Sequence, residues 1–394
     1  MSKPQDFLVE IGTEELPPKA LRSLMEAFGE ALATGLDEAR LAHGDVVPWA
    51  SPRRLAVMVE KLAAAQQDRS VEQKGPPVRI AFDDDGKPTP AADAFAKKCG
   101  VSVDQLERVA TDKGEWLVFN TVETGRSAAE LGPEVLERAL AGLPIPRRMR
   151  WGANEAEFVR PVHWVLLLHG MDILPAEILG VRTDRYSRGH RFHCNEPIDV
   201  SEPAAYVETL KEKGHVLADM DARRDAIHDA VLAAGRSLGG SAHIETGLLE
   251  EVTALVEWPV VISGGFDKRF LEVPSEALVS SMQDHQKFFP VMDESGTLMP
   301  HFITVANIES REPQQVRAGN ERVIRPRLED ASFFWNQDRR QTLASRATRL
   351  DSVTFQQKLG SLGDKQARIA RIATEIATAV GSDTGHVQRA AAIC

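Results

Sequence analysis

Phe7-Leu8-Val9-Glu10-Ile11-Gly12-Thr13-Glu14-Glu15-Leu16-Pro17-Pro18 is followed by Leu21, Leu24, Met25, Phe28, Leu32 and Leu36. The apolar run predicts a strand over Phe7 to Ile11. The later residues recur at three and four, the spacing of one helix face. Pro17 and Pro18 suit the start of that helix, because a first turn needs no N–H from proline. Strand and helix signals side by side read as an α/β segment. A second strand, Arg54 to Val59, closes this first region near Lys61.

From Gln66 the composition changes. Gly75-Pro76-Pro77 and Asp83-Asp84-Asp85-Gly86-Lys87-Pro88-Thr89-Pro90 read as turns ahead of a short helix at Ala91 to Lys98. Trp116 to Val122 reads as a strand, and Glu130 to Leu140 as a helix stopped by Gly142 and Pro144. Strands follow at Val162 to Leu168, at Ile173 to Leu179 and before Pro197, with helices at Ala204 to Lys213, Asp219 to Ala234 and Glu245 to Val256. Val260 to Ser263, Phe288 to Met292 and Phe302 to Ala306 complete the strands. Beyond Glu312 helical spacing takes over, through Leu350, Val353, Phe355, Leu359, Ile369, Ile372, Ile376 and Val380. Ser382 or Asp383 can cap a last helix, which meets Cys394 with no C-cap glycine, as in a chain cut inside a helical domain. The fold class expected is α+β and multidomain: a 1–65 α/β segment of the body, a small inserted 66–155 α/β module, a 156–312 mixed body and a helical 313–394 region.

A length of 394 residues, 43% hydrophobic and 27% charged, is ordinary for a folded chain of several domains. Cys99, Cys194 and Cys394 are odd in number and far apart, so no disulfide framework can be written, which suits the reducing cytoplasm. The opening residues lack a basic-then-apolar signal, and no aliphatic run approaches the ~20 residues of a membrane span. A net charge of -11 opposes indiscriminate coating of nucleic acid.

Several catalytic patterns fail on context. Gly235-Arg236-Ser237-Leu238-Gly239 matches a nucleophile elbow but follows a helix, so its glycines read as a helix end. Asp83 to Gly86 lacks the twelfth-position glutamate of a calcium loop. His190, His193 and Cys194 lack a fourth zinc ligand at standard spacing, and the helical pair His228-Asp229 lacks the further ligands of a metal phosphohydrolase. There is no phosphate-binding glycine loop. No catalytic residue, resident cofactor or metal is expected in this chain.

The charge is unevenly spread. Between Arg147 and Phe192 stand eight Arg, no Lys and five acidic residues, or +3; between Arg311 and Leu350 nine Arg face five acidic residues, or +4. Against the total of -11, the remainder therefore carries -18. Arg147, Arg148 and Arg150 beside Trp151 place guanidinium groups and an indole on a loop, suited to phosphate contact and base stacking. The opposing reading pairs such arginines with Glu155, Glu157, Glu321, Glu329 and Asp330.

In order along the chain stand Leu8 to Pro17, Ser51-Pro52-Arg53-Arg54-Leu55-Ala56, Arg147 to Gly152, Phe158-Val159-Arg160-Pro161-Val162-His163-Trp164 and Ser187-Arg188-Gly189-His190-Arg191-Phe192. Gln283-Asp284-His285-Gln286-Lys287-Phe288-Phe289 and Gly319 to Leu328 continue them. This series resembles the β subunit of the bacterial heterotetrameric glycyl-tRNA synthetase from near the first residue to the last. The resemblance implies an α2β2 enzyme joining glycine to tRNA-Gly. The α subunit would hold the class II site with its ATP and Mg, and this chain would support tRNA recognition. It further implies a longer β chain, in which a helical HD-like domain, entered here, precedes an anticodon-binding domain absent here. RNA-contact candidates are Arg147, Arg148, Arg150 and Trp151, then Arg322, Arg325 and Arg327, with Arg53, Arg54, Arg188, Arg191 and Lys287 secondary. Arg53, Arg54, Arg188 and Arg191 have a second reading, as buried partners of carboxylates that orient the fold. Two other functions stay open: an HD-type phosphohydrolase on His228 and Asp229, and an assembly scaffold docking its partner through Trp258-Pro259 and Phe288-Phe289-Pro290.

Overall fold

The computed structural model describes residues 3–83, 86–111 and 114–394 and is a mixed helix-and-sheet chain whose last third is mainly helical. It forms two compact units, Met1–Ile227 with Leu249–Val260 and Ala306–Ile308, and His228–Leu248 with Val261–Val305 and Glu309–Cys394.

The first unit is organised by β1 (Gln5–Thr13), whose central position follows from its apolar run. The strand is followed by α1 (Leu21–Glu38), then β2 (Val46–Ser51) and β3 (Arg54–Leu62). β1 lies between β3 and the strand Val162–His169, antiparallel to both, in a seven-stranded sheet. Phe7, Val9 and Ile11 share a core with Leu21, Leu24, Phe28, Leu32 and Leu36. Leu8 belongs to the second core, with Trp49, Ala56, Leu166, Ile198, Tyr206 and Leu210. Burial of both strand faces explains why apolar and polar residues fail to alternate along β1.

Gly12 stands opposite Arg54 on one neighbour and Trp164 on the other. A Cβ at Gly12 would lie 1.8 Å from the Trp164 ring, so the indole occupies the space glycine leaves. Gly12→Ala is expected to cost about 3 kcal/mol by overpacking, read as a lower urea midpoint with an unchanged m-value.

A three-stranded antiparallel sheet follows, ordered β4 (Arg69–Pro77), β6 (Gly114–Glu123), β5 (Glu107–Thr111). With α2 (Pro90–Cys99) it encloses a core of Ala92, Phe95, Ala96, Leu106 and Leu117. Gly75-Pro76-Pro77, expected as a turn, instead ends β4. β4 is an edge strand whose register shifts between Lys74 and Pro77, a setting in which proline's missing N–H is tolerated. The stretch expected as one strand over Ile173 to Leu179 is split by Pro175 into Asp172–Ile173 and Glu177–Ile178. Asp84 and Asp85 of the acidic turn lie outside the described residues; next to them, Gly86 takes a positive φ of 76°.

In the second unit Phe270, Leu278, Met282, Phe288 and Phe302 pack with Ile324 and Leu328. The last two come from a long helix, Pro313–Arg339. The helical spacing running through Val353 to Leu359 gives way to a short hairpin, Thr354–Gln356 with Gly360–Ser361. Gly360 adopts φ 85°, and Ser361 with Asp364 forms a capping box that starts a new helix, Leu362–Ala379. Asp383 caps the last helix, Thr384–Ala391. No helix among the described residues is long and apolar enough to cross a membrane.

Candidate nucleic-acid interface

Glu10 is the one carboxylate side chain in the apolar run of β1, and it is fully buried. Isolated in that interior its charge would be untenable, and the chain supplies partners from distant segments. Arg54, at the start of β3 and also fully buried, lies 3.5 Å from Glu10 and 3.2 Å from Glu257. Its remaining N–H groups reach Ser51 Oγ at 3.0 Å, Ser187 Oγ at 3.1 Å and the Arg188 carbonyl at 2.8 Å. Ser187 Oγ donates to Glu10 at 2.7 Å, and the Trp164 indole N–H donates to the same carboxylate. Burial works against the Arg54 charge, but Glu10 and Glu257 more than offset it and hold the group firmly protonated. For the Tyr206 phenol, burial and then the negative Glu10 push the pKa well above the usual value.

Trp164, which donates to Glu10, and Arg188, whose carbonyl accepts from Arg54, join this network to an open cleft of about 580 Å³ that Glu14, Arg53, His163, Arg191 and Asn195 also line. The walls are fixed by main-chain bonds between motif segments: Thr13 N to the Arg53 carbonyl at 2.8 Å, Glu14 N to the Pro161 carbonyl at 2.9 Å, and Leu16 N to the Pro52 carbonyl at 2.7 Å. Four of the motif segments thus converge here. Arg53 lies 3.7 Å from Glu257, donates to the Gly189 carbonyl at 3.3 Å, and stacks its guanidinium 5.6 Å from the Trp164 ring. Burial, followed by the nearby Arg54 and Arg191 charges, lowers the Arg53 pKa, although Glu257 opposes the shift. Arg191 pairs with Glu14, as does His163 at 2.9 Å. Burial alone would raise the Glu14 pKa; Arg191 and His163 pull it below the usual carboxylate range. Arg188 is exposed, with no side-chain partner among the described residues. Three arginines against one carboxylate leave the rim cationic, with one guanidinium ready for an incoming anion.

The first-ranked arginines are dispersed. Arg147 and Arg150 are exposed, but Arg150 belongs to a short hairpin, Met149–Arg150 with Glu157–Phe158, where a loop was expected. Arg148 caps a helix end by donating to the carbonyls of Leu140 at 3.2 Å and Ala141 at 2.9 Å. Trp151 is half-buried against the first core. Arg322, Arg325 and Arg327 are exposed on the Pro313–Arg339 helix, with Arg327 on a different side from the other two by helical spacing. Lys287 ends a helix in the left-handed conformation, φ 58°. Arg54 corrects its own candidacy for RNA contact: it is fully buried and follows the alternative reading, carboxylate pairing. Sequence reasoning missed Glu10, Glu257, Ser187 and Asn195; only Glu10, a lone carboxylate within an apolar strand, carried a local signal.

The remaining motifs are structural. Both nitrogens of His190 are engaged: Nε2 with the Asn307 carbonyl at 2.6 Å, and Nδ1 as acceptor from Phe192 N at 3.3 Å. Burial lowers its pKa, which favours the neutral ring. No group of three His, Cys, Asp or Glu among the described residues is placed to hold a metal. His228 and Asp229 are a surface pair 3.3 Å apart. The helix preceding Gly239 runs to Ser237, and Gly239 turns the chain with φ 78°. Phe288 and Phe289, candidate docking residues, are buried core residues. Trp258 is half-buried and packs edge-on to His215 at 5.2 Å.

Comparison with known proteins converges on one family. Residues 7–394 match the family model described as glycyl-tRNA synthetase beta subunit. The glycine–tRNA ligase beta subunit of Marinobacter nauticus is 53% identical over 388 residues, covering 98% of this chain and 56% of that protein. The beta subunits of Edwardsiella ictaluri, 53% identical, and Klebsiella pneumoniae, 52% identical, are covered to the same extents. The chain therefore spans 56% of the length of these relatives.

Proposed function

The chain belongs to the glycyl-tRNA synthetase beta subunit family, and from that premise we propose that it is a noncatalytic, tRNA-binding part of a cytoplasmic glycine–tRNA ligase. In this reading tRNA-Gly is held here while a separate α subunit, in an α2β2 assembly, carries out ATP-dependent glycylation with its own Mg. The chain's contribution is to bind and orient. The observation that carries the reading is the cationic cleft, where Arg53, Arg188 and Arg191 share one rim next to the buried Glu10–Arg54–Glu257 network. Arginine forks match phosphate oxygens, and a rim whose shape is set by the Glu10–Arg54–Glu257 network loses little entropy on binding.

The test is titration of labelled tRNA-Gly with the 394-residue chain, with and without α subunit, at two salt concentrations. Saturable binding whose logarithm falls linearly with log salt, by about 0.7 to 0.9 per phosphate contact, is expected. Absence of binding at low salt, with and without the α subunit, overturns the RNA reading. Binding only in the presence of the α subunit favours the scaffold reading.

A further inference from the structure

A second surface, in the second unit, combines exposed aromatic rings with guanidinium groups. The long helix, here α3 (Pro313–Arg339), buries Ile324 and Leu328 and leaves the rest of its circumference largely open. Phe333 and Phe334 are 57% and 62% exposed and meet edge to face, with ring centroids 5.5 Å apart. Single exposed apolar side chains are commonplace, but adjacent exposed phenyl rings on a polar helix are not. A cleft of about 450 Å³ opens beside Phe333, with Arg269, Glu272, Glu329, Ser332, Asn336 and Arg340 among its walls. Arg269 lies 4.8 Å over the Phe270 ring and donates to Glu329 at 3.2 Å, which holds that wall in place.

Along the helix, Arg322, Arg325, Phe333, Asn336 and Arg340 fall on one side by their spacing. At about 1.5 Å per residue, Arg322 and Arg340 stand roughly 27 Å apart, so the strip is long enough for several nucleotides. Arg322, Arg325 and Arg327 have no side-chain partners among the described residues. A purely apolar partner would leave these charges unmatched, and a bare anion would leave the rings in water. A strand of unpaired RNA satisfies both, because its base faces are free to stack and its phosphates recur along the chain; in a duplex the faces are already stacked on one another.

We propose that this side of α3 is a binding site for unpaired RNA, with Phe333 stacking on a base and Arg322, Arg325 and Arg340 contacting the flanking phosphates. Asn336 and Ser332 supply polar edges to the base slot. The inference rests on the proposed function only in taking RNA as the ligand, and it adds a site that the cleft does not contain.

The probe is a fluorescent ten-nucleotide uridine homopolymer, with a blunt-ended RNA hairpin as the duplex control, each titrated against the 394-residue chain. The homopolymer is expected to bind more tightly than the hairpin. Phe333→Ala should weaken it about tenfold and Phe333→Trp should retain it. Thermal melting of both Phe333 variants checks that the fold is kept; exposure of the side chain predicts little change. An affinity unaltered by Phe333→Ala, or a hairpin that binds as well as the homopolymer, overturns the inference. If tRNA-Gly still binds and responds to substitutions in the cleft, the proposed function survives that result. If neither the homopolymer nor tRNA-Gly binds at low salt, both fall.

Discussion

Arg54→Met is expected to destabilise the first unit by about 3–5 kcal/mol, the cost of stranding buried charges when one partner is removed. The substitution keeps much of the side-chain volume but withdraws the cation between Glu10 and Glu257 and the donor to the Arg188 carbonyl. Two buried carboxylates then share an interior with too few donors, and Ser51 and Ser187 each lose one contact. Urea denaturation followed by circular dichroism reads the loss directly. Adding Glu10→Gln and Glu257→Gln to Arg54→Met should recover part of the stability, because the stranded charges are then gone. A midpoint unchanged by Arg54→Met would show that the network does not hold the unit together. A triple variant no better than the single one would assign the loss to packing.

Replacing Arg188 and Arg191 together by glutamate should reduce tRNA-Gly affinity at least about a hundredfold, since each charge-assisted contact contributes about 1.5–3 kcal/mol and reversal adds repulsion. Among the described residues, Arg188 is exposed and without a side-chain partner, and Arg191 is exposed and pairs with Glu14. Neither supports the buried core, so the expected change is in binding, with the melting temperature nearly kept. The salt slope should fall by about one to two units if two phosphate contacts are lost. Full affinity in the double variant would remove the cleft from the RNA path, whatever the rest of the chain binds.

Much of the architecture was legible locally. The run from Phe7 to Ile11, the prolines after it and the three-and-four spacing through Leu36 dictated a strand and a helix, and both formed. Errors arose where local pattern met a sheet edge or a restart. Gly75-Pro76-Pro77 has turn composition yet closes an edge strand, because nothing beyond β4 needs proline's missing N–H. The apolar period through Val353, Phe355 and Leu359 was broken by Gly360, whose left-handed conformation turns the chain into the Ser361 cap.

The arginines divide differently. Their number, clustering and place in an ordered series of motifs are properties of the sequence, and they suffice to point to the family and to the proposal of an anionic partner. Which of them are available to that partner depends on the tertiary structure. Arg53 and Arg54 are adjacent in the chain, but Arg54 is enclosed by Ser187, 133 positions away, and Glu257, 203 positions away, whereas Arg53 borders the cleft. Arg148 is spent on carbonyls at a helix end, while Arg188 is left open. A guanidinium's fate is set by desolvation and by the nearest carboxylate, and both are contributed by segments that only folding brings together.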